Sequence, residues 1–440
     1  MQDEDVTSGL PPTEYADALE VAKTLAPDAP LHLLRPKMIY MRTHPFLDNF
    51  PGTTAYAVRA NPEPKVLGEV FSAGIDWYAC DTLAEIETVA RLLPDARLLF
   101  MHPIKAEQAV EQAYRKHRIR DFVIDHPDEL RKIRAHAGTD CTLIVRVTAP
   151  AGALQSEGYR YGCEIDKAVF LAREVVEAGF KLGLSFQLGS QVLSPALYDE
   201  SFLILREVMY KARFMLDLLC IGGGFPSIYE GLWPPPLEEY FKVVGRGLAR
   251  LHLPRTCRVF CTPGRALVAD SVAVLVRVEQ RRGQMLYIND GVLGSLSQIN
   301  LPWCQAPVRL IRPQGRPPRS VIHKYMFSGP ACHGEDIMPG PFYLPEDARA
   351  GDYIEIGQCG AYAGSLTSAF HSLPWPEMVT VGDDPPIPRK AEELPEDYHS
   401  GNYEPDEDDD FLDDDEGSAP PVDDDLRDYD DVTRSPARRR

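Results

Sequence analysis

The sequence has no long apolar segment. Among its 440 residues there is no run of about 18 apolar side chains, the length that a membrane-spanning helix requires. We also expect no secretory or mitochondrial leader, because the sequence Met1-Gln2-Asp3-Glu4-Asp5 is acidic and polar, unlike such leaders. We therefore expect a cytoplasmic protein that does not cross a membrane.

Cysteines in the spacing of a zinc site are missing as well. The nine cysteines are scattered, and Cys257 and Cys261 form the nearest pair, with no second pair beside it. An odd number of cysteines in a chain without a signal peptide favours reduced thiols in the cytosol. We expect no metal site.

Positive charge is too scarce for a nucleic-acid-binding surface. The formal net charge is −20, and most of it lies in residues 391–440, which contain 20 acidic and 5 basic side chains. The preceding 41 basic and 46 acidic residues nearly balance. From residue 383 the chain is rich in proline and then in aspartate, densest at 406–416, so we predict a disordered acidic tail. Capture of a basic partner is the alternative role for this tail.

Short apolar runs alternate with amphipathic segments of roughly ten residues through the first two thirds of the chain. This alternation predicts parallel βαβ units, and about eight of them predict a (β/α)₈ barrel. The predicted barrel strands are 55–58, 76–79, 98–101, 121–124, 142–147, 182–187, 216–221 and 258–261.

Beyond Pro263 the pattern changes to β runs separated by turns, which predicts a second, all-β domain. Its predicted strands are 272–279, 284–288, 308–311, 321–327 and 352–356. Before the barrel we predict a loose leader with one short helix at 14–23, and a strand at 38–41. The predicted domains are therefore a leader with a first β segment (1–37), the barrel (38–265), the β-domain (266–382) and the tail (383–440).

Several motifs occur in a fixed order. The first barrel strand leads into Tyr56-Ala57-Val58-Arg59-Ala60-Asn61-Pro62. After it come His102-Pro103-Ile104-Lys105, Tyr161-Gly162-Cys163-Glu164, Gly189-Ser190, Ile221-Gly222-Gly223-Gly224-Phe225-Pro226, Pro263-Gly264-Arg265, Tyr287-Ile288-Asn289-Asp290-Gly291-Val292, Ser328-Gly329-Pro330-Ala331-Cys332 and Gly360-Ala361-Tyr362. In this order and spacing, from about Tyr40 to His371, the chain resembles the ornithine decarboxylase-like family of pyridoxal 5′-phosphate (PLP) decarboxylases. The resemblance implies an alanine-racemase-like barrel with a carboxy-terminal β-domain, and a place in polyamine biosynthesis.

The resemblance implies that the phosphate-binding part of the family's cofactor site is kept. Three glycines after an apolar strand let backbone N–H groups approach an anion closely. The residues that match the family's cofactor-binding positions are Gly222, Gly223, Gly224, Ser190, Arg265, Tyr362 and Arg146.

The catalytic positions, in contrast, are changed. Arg59 stands where the family has the lysine that forms a Schiff base with PLP, and a guanidinium does not lose its proton in proteins. Gln187 replaces the imidazole that stacks on the pyridine ring. Thr262 replaces the carboxylate that keeps the pyridine nitrogen protonated, and Ala79 replaces a further acidic residue.

The positions that bind the substrate's distal ammonium group also differ. They are Pro302 and His333 here, where the family has carboxylates. Cys332 keeps the position of the family's catalytic cysteine, which is supplied across a dimer interface. The segment 41–56 is shorter than the corresponding part of the family, which includes a longer helix.

Two hypotheses follow. The first is a catalytically lapsed homologue that binds PLP without a covalent link, or has lost it, and that regulates or pairs with an active decarboxylase. It would form a homodimer or a heterodimer with an active decarboxylase paralogue. The second is an atypical PLP-dependent amino-acid decarboxylase with a changed substrate. The second hypothesis requires a replacement amine, and Lys105 or Lys65 is the candidate.

Overall fold

The computed structural model describes residues 14–155, 160–368 and 375–394. Within them the strands are β1 (Leu31–Leu34), β2 (Thr53–Ala57), β3 (Trp77–Cys80), β4 (Arg97–Phe100), β5 (Asp121–Ile124), β6 (Thr142–Arg146), β7 (Lys181–Ser185), β8 (Leu218–Cys220), β9 (Arg258–Cys261), β10 (Val272–Arg282), β11 (Met285–Ile288), β12 (Val308–Ile311), β13 (Ile322–Ser328), β14 (Ile337–Pro345), β15 (Tyr353–Ile356) and β16 (Glu377–Thr380). The helices are α1 (Ala18–Leu25), α2 (Pro36–Asn49), α3 (Pro64–Ser72), α4 (Leu83–Leu92), α5 (Glu107–Arg115), α6 (Pro127–His136), α7 (Ile165–Glu177), α8 (Ala196–Ala212), α9 (Leu237–Leu251) and α10 (Arg265–Val268).

Strands β2 to β9 form a closed parallel barrel in chain order. The barrel closes where β2 pairs with β9, with Thr53 opposite Phe260 and Thr54 opposite Cys261. The strands are apolar on both faces because one face fills the barrel interior and the other packs against the surrounding helices. The predicted (β/α)₈ barrel is confirmed.

Helix α2 corrects the strand predicted at 38–41. Its buried residues include Ile39, Thr43 and Phe46, which are spaced by four and then three positions, as on one face of a helix. Pro36 lies at the first helical position, where its missing N–H costs nothing. The apolar tetrapeptide that suggested a strand is one turn of this helix, and residues 41–56 contain the rest of α2 and most of β2.

The second domain is a mixed sheet of eight strands, and two of them, β1 and β16, come from near the two ends of the described chain. Strand β1 lies between β10 and β16: Leu31 is opposite Leu275 in the antiparallel pair and opposite Glu377 in the parallel pair. Helix α1 buries Ala18, Val21 and Ala22 against this sheet. Helix α1 overlaps the short helix predicted at 14–23, and β1 lies within the region 1–37 for which a first β segment was predicted. Both are packed against the sheet rather than loose, and β14 and β16 are additional strands.

The segment 383–394, which we call the strap, is packed against the fold. Asp383 forms ion pairs with the buried Arg35 and with Arg309 (2.7 Å each). Further along, Arg389 pairs with Glu230 of the barrel. The prediction that disorder begins at residue 383 is therefore wrong for the strap, and residues 395–440, with the acidic run 406–416, lie outside the described residues.

None of the helices in the described ranges is both long enough and apolar enough to span a membrane.

Candidate ligand site at the barrel mouth

The carboxyl ends of the barrel strands surround a small open cavity of about 380 Å³, a volume that includes the solvent at its opening. Because the strands are parallel, all of them end at the same rim, where barrel enzymes bind their ligands. Each strand or its first following residue contributes one lining side chain: Ala57, Ala79, Met101, Val123, Arg146, Ser185, Cys220 and Thr262. Arg59, Phe186, Gln187 and Gly222 complete the lining.

Arg59 lies in this cavity, in the short 3₁₀ turn that follows β2. Its guanidinium donates a hydrogen bond to the Asp81 carboxylate (2.6 Å), and 37% of its side chain is exposed. The Glu85 carboxylate accepts the Asp81 backbone N–H, and burial raises the pKa of Glu85 to about 6. Asp81 was not among the predicted site residues, although it lies only two residues after Ala79 on the same rim.

The glycine loop follows β8 and has a backbone that only glycine tolerates. Gly222 and Gly224 have φ of +68° and +98°, and a Cβ on Gly222 would lie 2.4 Å from the Phe186 carbonyl oxygen. The Gly223 N–H donates to Gln187 Oε1 (2.7 Å), and Gln187 Nε2 donates to the Gly189 carbonyl (3.1 Å). Gln187 therefore joins the loops after β7 and β8 and occupies one N–H of the glycine loop.

Arg265 is buried beside the glycine loop, and each of its three side-chain nitrogens donates a hydrogen bond. Its Nε donates to Ser190 Oγ (2.9 Å), and one terminal nitrogen donates to the Tyr229 hydroxyl (2.6 Å). The guanidinium carbon lies 4.9 Å from the ring centre of Tyr362 and 5.1 Å from that of Trp303. The other terminal nitrogen donates to the side-chain oxygens of Gln155 (3.1 Å) and Gln298 (3.3 Å).

The predicted residues Ser190, Arg265 and Tyr362 are thus brought together, and Arg146 lines the cavity. Tyr362 is also hydrogen-bonded to the turn that contains Arg59: the Tyr362 backbone N–H donates to the Ala60 carbonyl (2.7 Å).

Lys105, one candidate replacement amine, is buried but does not line the cavity. Burial lowers the pKa of Lys105 to about 8, against the opposing effect of Glu129, and a lowered pKa favours an amine nucleophile. However, its ammonium group lies 3.1 Å from Glu129 and donates to three backbone carbonyls. These acceptors use all three of its N–H donors.

Lys65, the other candidate, lies on the outside of the barrel. It donates to Glu14 (2.9 Å) and to the Met378 carbonyl (2.8 Å), and 44% of its side chain is exposed. No lysine is found among the described residues that line the cavity.

Cys332, His333 and Pro302 do not line the cavity of their own chain. Cys332 and His333 are exposed in the loop between β13 and β14. The buried Asp336 holds this loop, because its carboxylate accepts the backbone N–H groups of Val292 and Ala331 (2.8 Å each). Pro302 is exposed next to Trp303, which stacks on Arg265.

A closed parallel barrel with a glycine loop and a buried arginine at its mouth defines the class of protein: a (β/α)₈ barrel whose loops after the strands form the candidate ligand site. The chain belongs to the pyridoxal-dependent decarboxylase family, because the profile of that family's pyridoxal-binding domain matches residues 37–269. The resemblance to ornithine decarboxylases is confirmed, and the match of Arg59 to the cofactor lysine stays a prediction.

Individual relatives agree with this assignment. Ornithine decarboxylase of Schizosaccharomyces pombe is 28% identical over 354 residues, which cover 75% of this chain and 78% of that protein. Lysine/ornithine decarboxylase of Selenomonas ruminantium is 27% identical over 341 residues, covering 75% and 84%. The crystal structure of lysine/ornithine decarboxylase from Vibrio vulnificus, complexed with cadaverine, is 27% identical with a TM-score of 0.72 and covers 84% of this chain and 100% of that one.

Proposed function

We propose that this chain is a catalytically lapsed homologue of ornithine decarboxylase that holds the phosphate of PLP without a covalent link. The observation that carries the proposal is the composition of the barrel mouth: its described lining contains Arg59 and Arg146 but no lysine. A guanidinium remains protonated in proteins, so Arg59 cannot form the bond that a neutral amine forms with the cofactor aldehyde.

The residues present fit the phosphate of PLP better than its reactive end. Glycine is required at position 223, since a Cβ there would lie 2.4 Å from the Thr262 carbonyl oxygen, and the loop backbone therefore packs directly against the residue that follows β9. Ser190 and Arg265 supply a hydroxyl and a cation beside this loop. We assign phosphate binding to these groups.

At the reactive end, the groups that would assist decarboxylation are neutral. When PLP is bound, its pyridine ring withdraws electrons from the substrate, and a carboxylate at the ring nitrogen strengthens that effect. Thr262 has no charge, and Ala79 has no polar group at all. The described cavity lining includes no carboxylate, which supports loss of the reaction.

For the role of such a protein, we propose pairing, either with a second copy or with an active decarboxylase of the same family. Cys332 supports this proposal because it is exposed on a loop that Asp336 fixes, so it can be presented to a neighbouring subunit. A pair with an active enzyme would act on polyamine synthesis. The proposed compartment is the cytoplasm, in agreement with nine cysteines that form no disulfide.

The test of the ligand proposal is titration of the purified full chain with PLP, followed by borohydride reduction and intact-mass analysis. We expect saturable binding that inorganic phosphate competes away, and no pyridoxyl adduct. An active ornithine decarboxylase treated in parallel should show the adduct. A stable adduct on this chain, mapped to Lys105 or to another lysine, would overturn the proposal in favour of an active enzyme.

The pairing proposal is tested by co-expression with an active ornithine decarboxylase and size-exclusion chromatography with light scattering. A mixed dimer is expected, and Cys332→Ser should change the activity of the mixed dimer without dissolving it. Elution of this chain as a monomer, separate from the decarboxylase, at micromolar concentration would contradict the proposal, whereas its elution as a dimer of its own would favour pairing with a second copy.

A further inference from the structure

The strap contacts the barrel loop that supports Arg265. Arg389 Nε donates to Glu230 Oε1 (2.6 Å), and the Arg389 N–H donates to Glu230 Oε2 (2.8 Å). In return, the Arg389 carbonyl accepts the Gly231 N–H (3.0 Å) and the Trp233 indole N–H (3.1 Å). A single strap residue thus makes four hydrogen bonds to the loop 230–233.

Glu230 makes this contact energetically important. Its carboxylate is buried, with 3% of the side chain exposed, whereas 40% of the Arg389 side chain is exposed. A buried carboxylate that loses its charged partner is strongly destabilising, because its desolvation is no longer compensated. Without Arg389 the loop would have to move so that Glu230 reaches water.

The neighbour of Glu230 is Tyr229, whose hydroxyl accepts the hydrogen bond from Arg265. Tyr229 is fully buried, and its backbone exchanges two hydrogen bonds with Leu232 (3.0 and 2.9 Å). The loop is therefore a closed turn, with Arg265 bound on one side and Arg389 on the other. Movement of Glu230 would displace Tyr229 with it.

The other end of the strap is fixed to the β-domain. Asp383 is bound by Arg35 and Arg309, and Arg35 also binds the fully buried Glu355 (2.6 Å). Between Asp383 and Arg389 the chain contains three prolines, at 385, 386 and 388. Proline fixes φ, so this connection is stiff, and the position of Arg389 depends on the anchor at Asp383.

We propose that the strap sets the position of Arg265, and with it the affinity of the barrel mouth for phosphorylated ligands. Arg389 and Glu230 are positioning residues in this scheme, since they act on the ligand through Tyr229 and Arg265. The inference about affinity rests on the proposed function, whereas the mechanical link from the strap to Arg265 does not.

The experiment compares the wild-type chain with Arg389→Ala, Arg389→Lys and a control, Arg319→Ala. The control removes an arginine–glutamate pair that lies within the β-domain, between Arg319 and Glu346 (3.0 Å). Affinities for inorganic phosphate and for PLP are measured by isothermal titration calorimetry, and backbone mobility of 226–233 and 265–268 by hydrogen–deuterium exchange. All variants are used as full chains at a temperature where circular dichroism shows them folded.

We expect Arg389→Ala to weaken phosphate binding about tenfold and to raise exchange in both segments, since Arg265 loses a charged hydrogen bond. Arg389→Lys should restore part of the affinity because it keeps the charge, and Arg319→Ala should match the wild type. Unchanged affinity and unchanged exchange in Arg389→Ala would overturn the strap proposal. Absence of phosphate and PLP binding in the wild type would instead refute the proposed function, and exchange alone would then decide whether the strap controls Arg265.

Discussion

Gln187 offers the most direct test of anion binding at the barrel mouth. Its side chain accepts the Gly223 N–H and donates to the Gly189 carbonyl, so the glycine loop already has an internal partner where a phosphate would bind. A phosphate that uses this N–H must first displace the amide. Gln187→Ala removes the competitor and leaves the backbone donor available.

The size of the effect follows from the bonds exchanged. A neutral hydrogen bond contributes about 1 kcal/mol net, and the displaced amide regains part of that with water. Removing the competitor should therefore tighten phosphate binding by about fivefold, since 1.4 kcal/mol corresponds to a factor of ten. Gln187→Glu should act in the opposite direction, because a carboxylate accepts the same N–H more strongly and repels phosphate.

The assay is calorimetric titration with inorganic phosphate and then with PLP. Gln191→Ala is the matched control: Gln191 joins the same two loops through side-chain hydrogen bonds of 2.6 and 3.0 Å to the backbone of Ser227, three residues beyond the last glycine of the loop. The Gln191→Ala variant should have a lower melting temperature than the wild type and the same affinity for phosphate. Equal affinities for Gln187→Ala and the wild type would refute the reasoning, and weaker binding would show that Gln187 contacts the ligand itself.

Three further predictions concern other parts of the chain. Arg59→Lys should introduce a pyridoxyl adduct on residue 59 after borohydride reduction, and absence of the adduct in a PLP-bound variant would show that the mouth no longer presents the aldehyde to this position. Burial lowers the pKa of His32 to about 4, so between about pH 6.5 and 4 the imidazole is protonated in the unfolded chain but not in the folded one. The free energy of unfolding should therefore fall by about 2 kcal/mol on acidification to pH 5. This fall should be smaller in His32→Gln, and an equal dependence of stability on pH in the two proteins would contradict the prediction. Asp383→Asn should lower the free energy of unfolding in urea by about 3 kcal/mol, because its partner Arg35 is buried. Asp384→Asn removes a partner from an exposed ion pair and should lower it by under about 1 kcal/mol. Equal losses of stability in the two variants would refute this account of the strap.

The barrel was predictable because buried parallel strands appear as short apolar runs between amphipathic segments. Two of the predicted strands, 121–124 and 258–261, coincide with β5 and β9. In α2 the same criterion failed, since four consecutive residues with apolar character do not distinguish a strand from one turn of a helix. Strands β1 and β16 are four residues each and pair with partners far along the chain, so their local sequence carries little information about pairing.

In the site, the predictable residues were those in local motifs, such as the glycine loop and Arg265. Three further partners of Arg265 were not predictable, because Gln155, Tyr229 and Gln298 come from three separate segments that meet only in the folded chain. Asp81 was missed for a related reason. Its role depends on the guanidinium of Arg59, which approaches it from the neighbouring strand of the barrel.

The position of β1 has a consequence for the order in which the chain can fold during synthesis. This strand leaves the ribosome before the whole barrel, yet both of its neighbours, β10 and β16, follow the barrel. The barrel segments contact their sequence neighbours and can close as they emerge, whereas β1 must stay unpaired until β10, the first strand after the barrel, has been made. Ribosome-bound chains that end between β9 and β10 should therefore contain a protease-resistant barrel and a protease-sensitive amino-terminal segment.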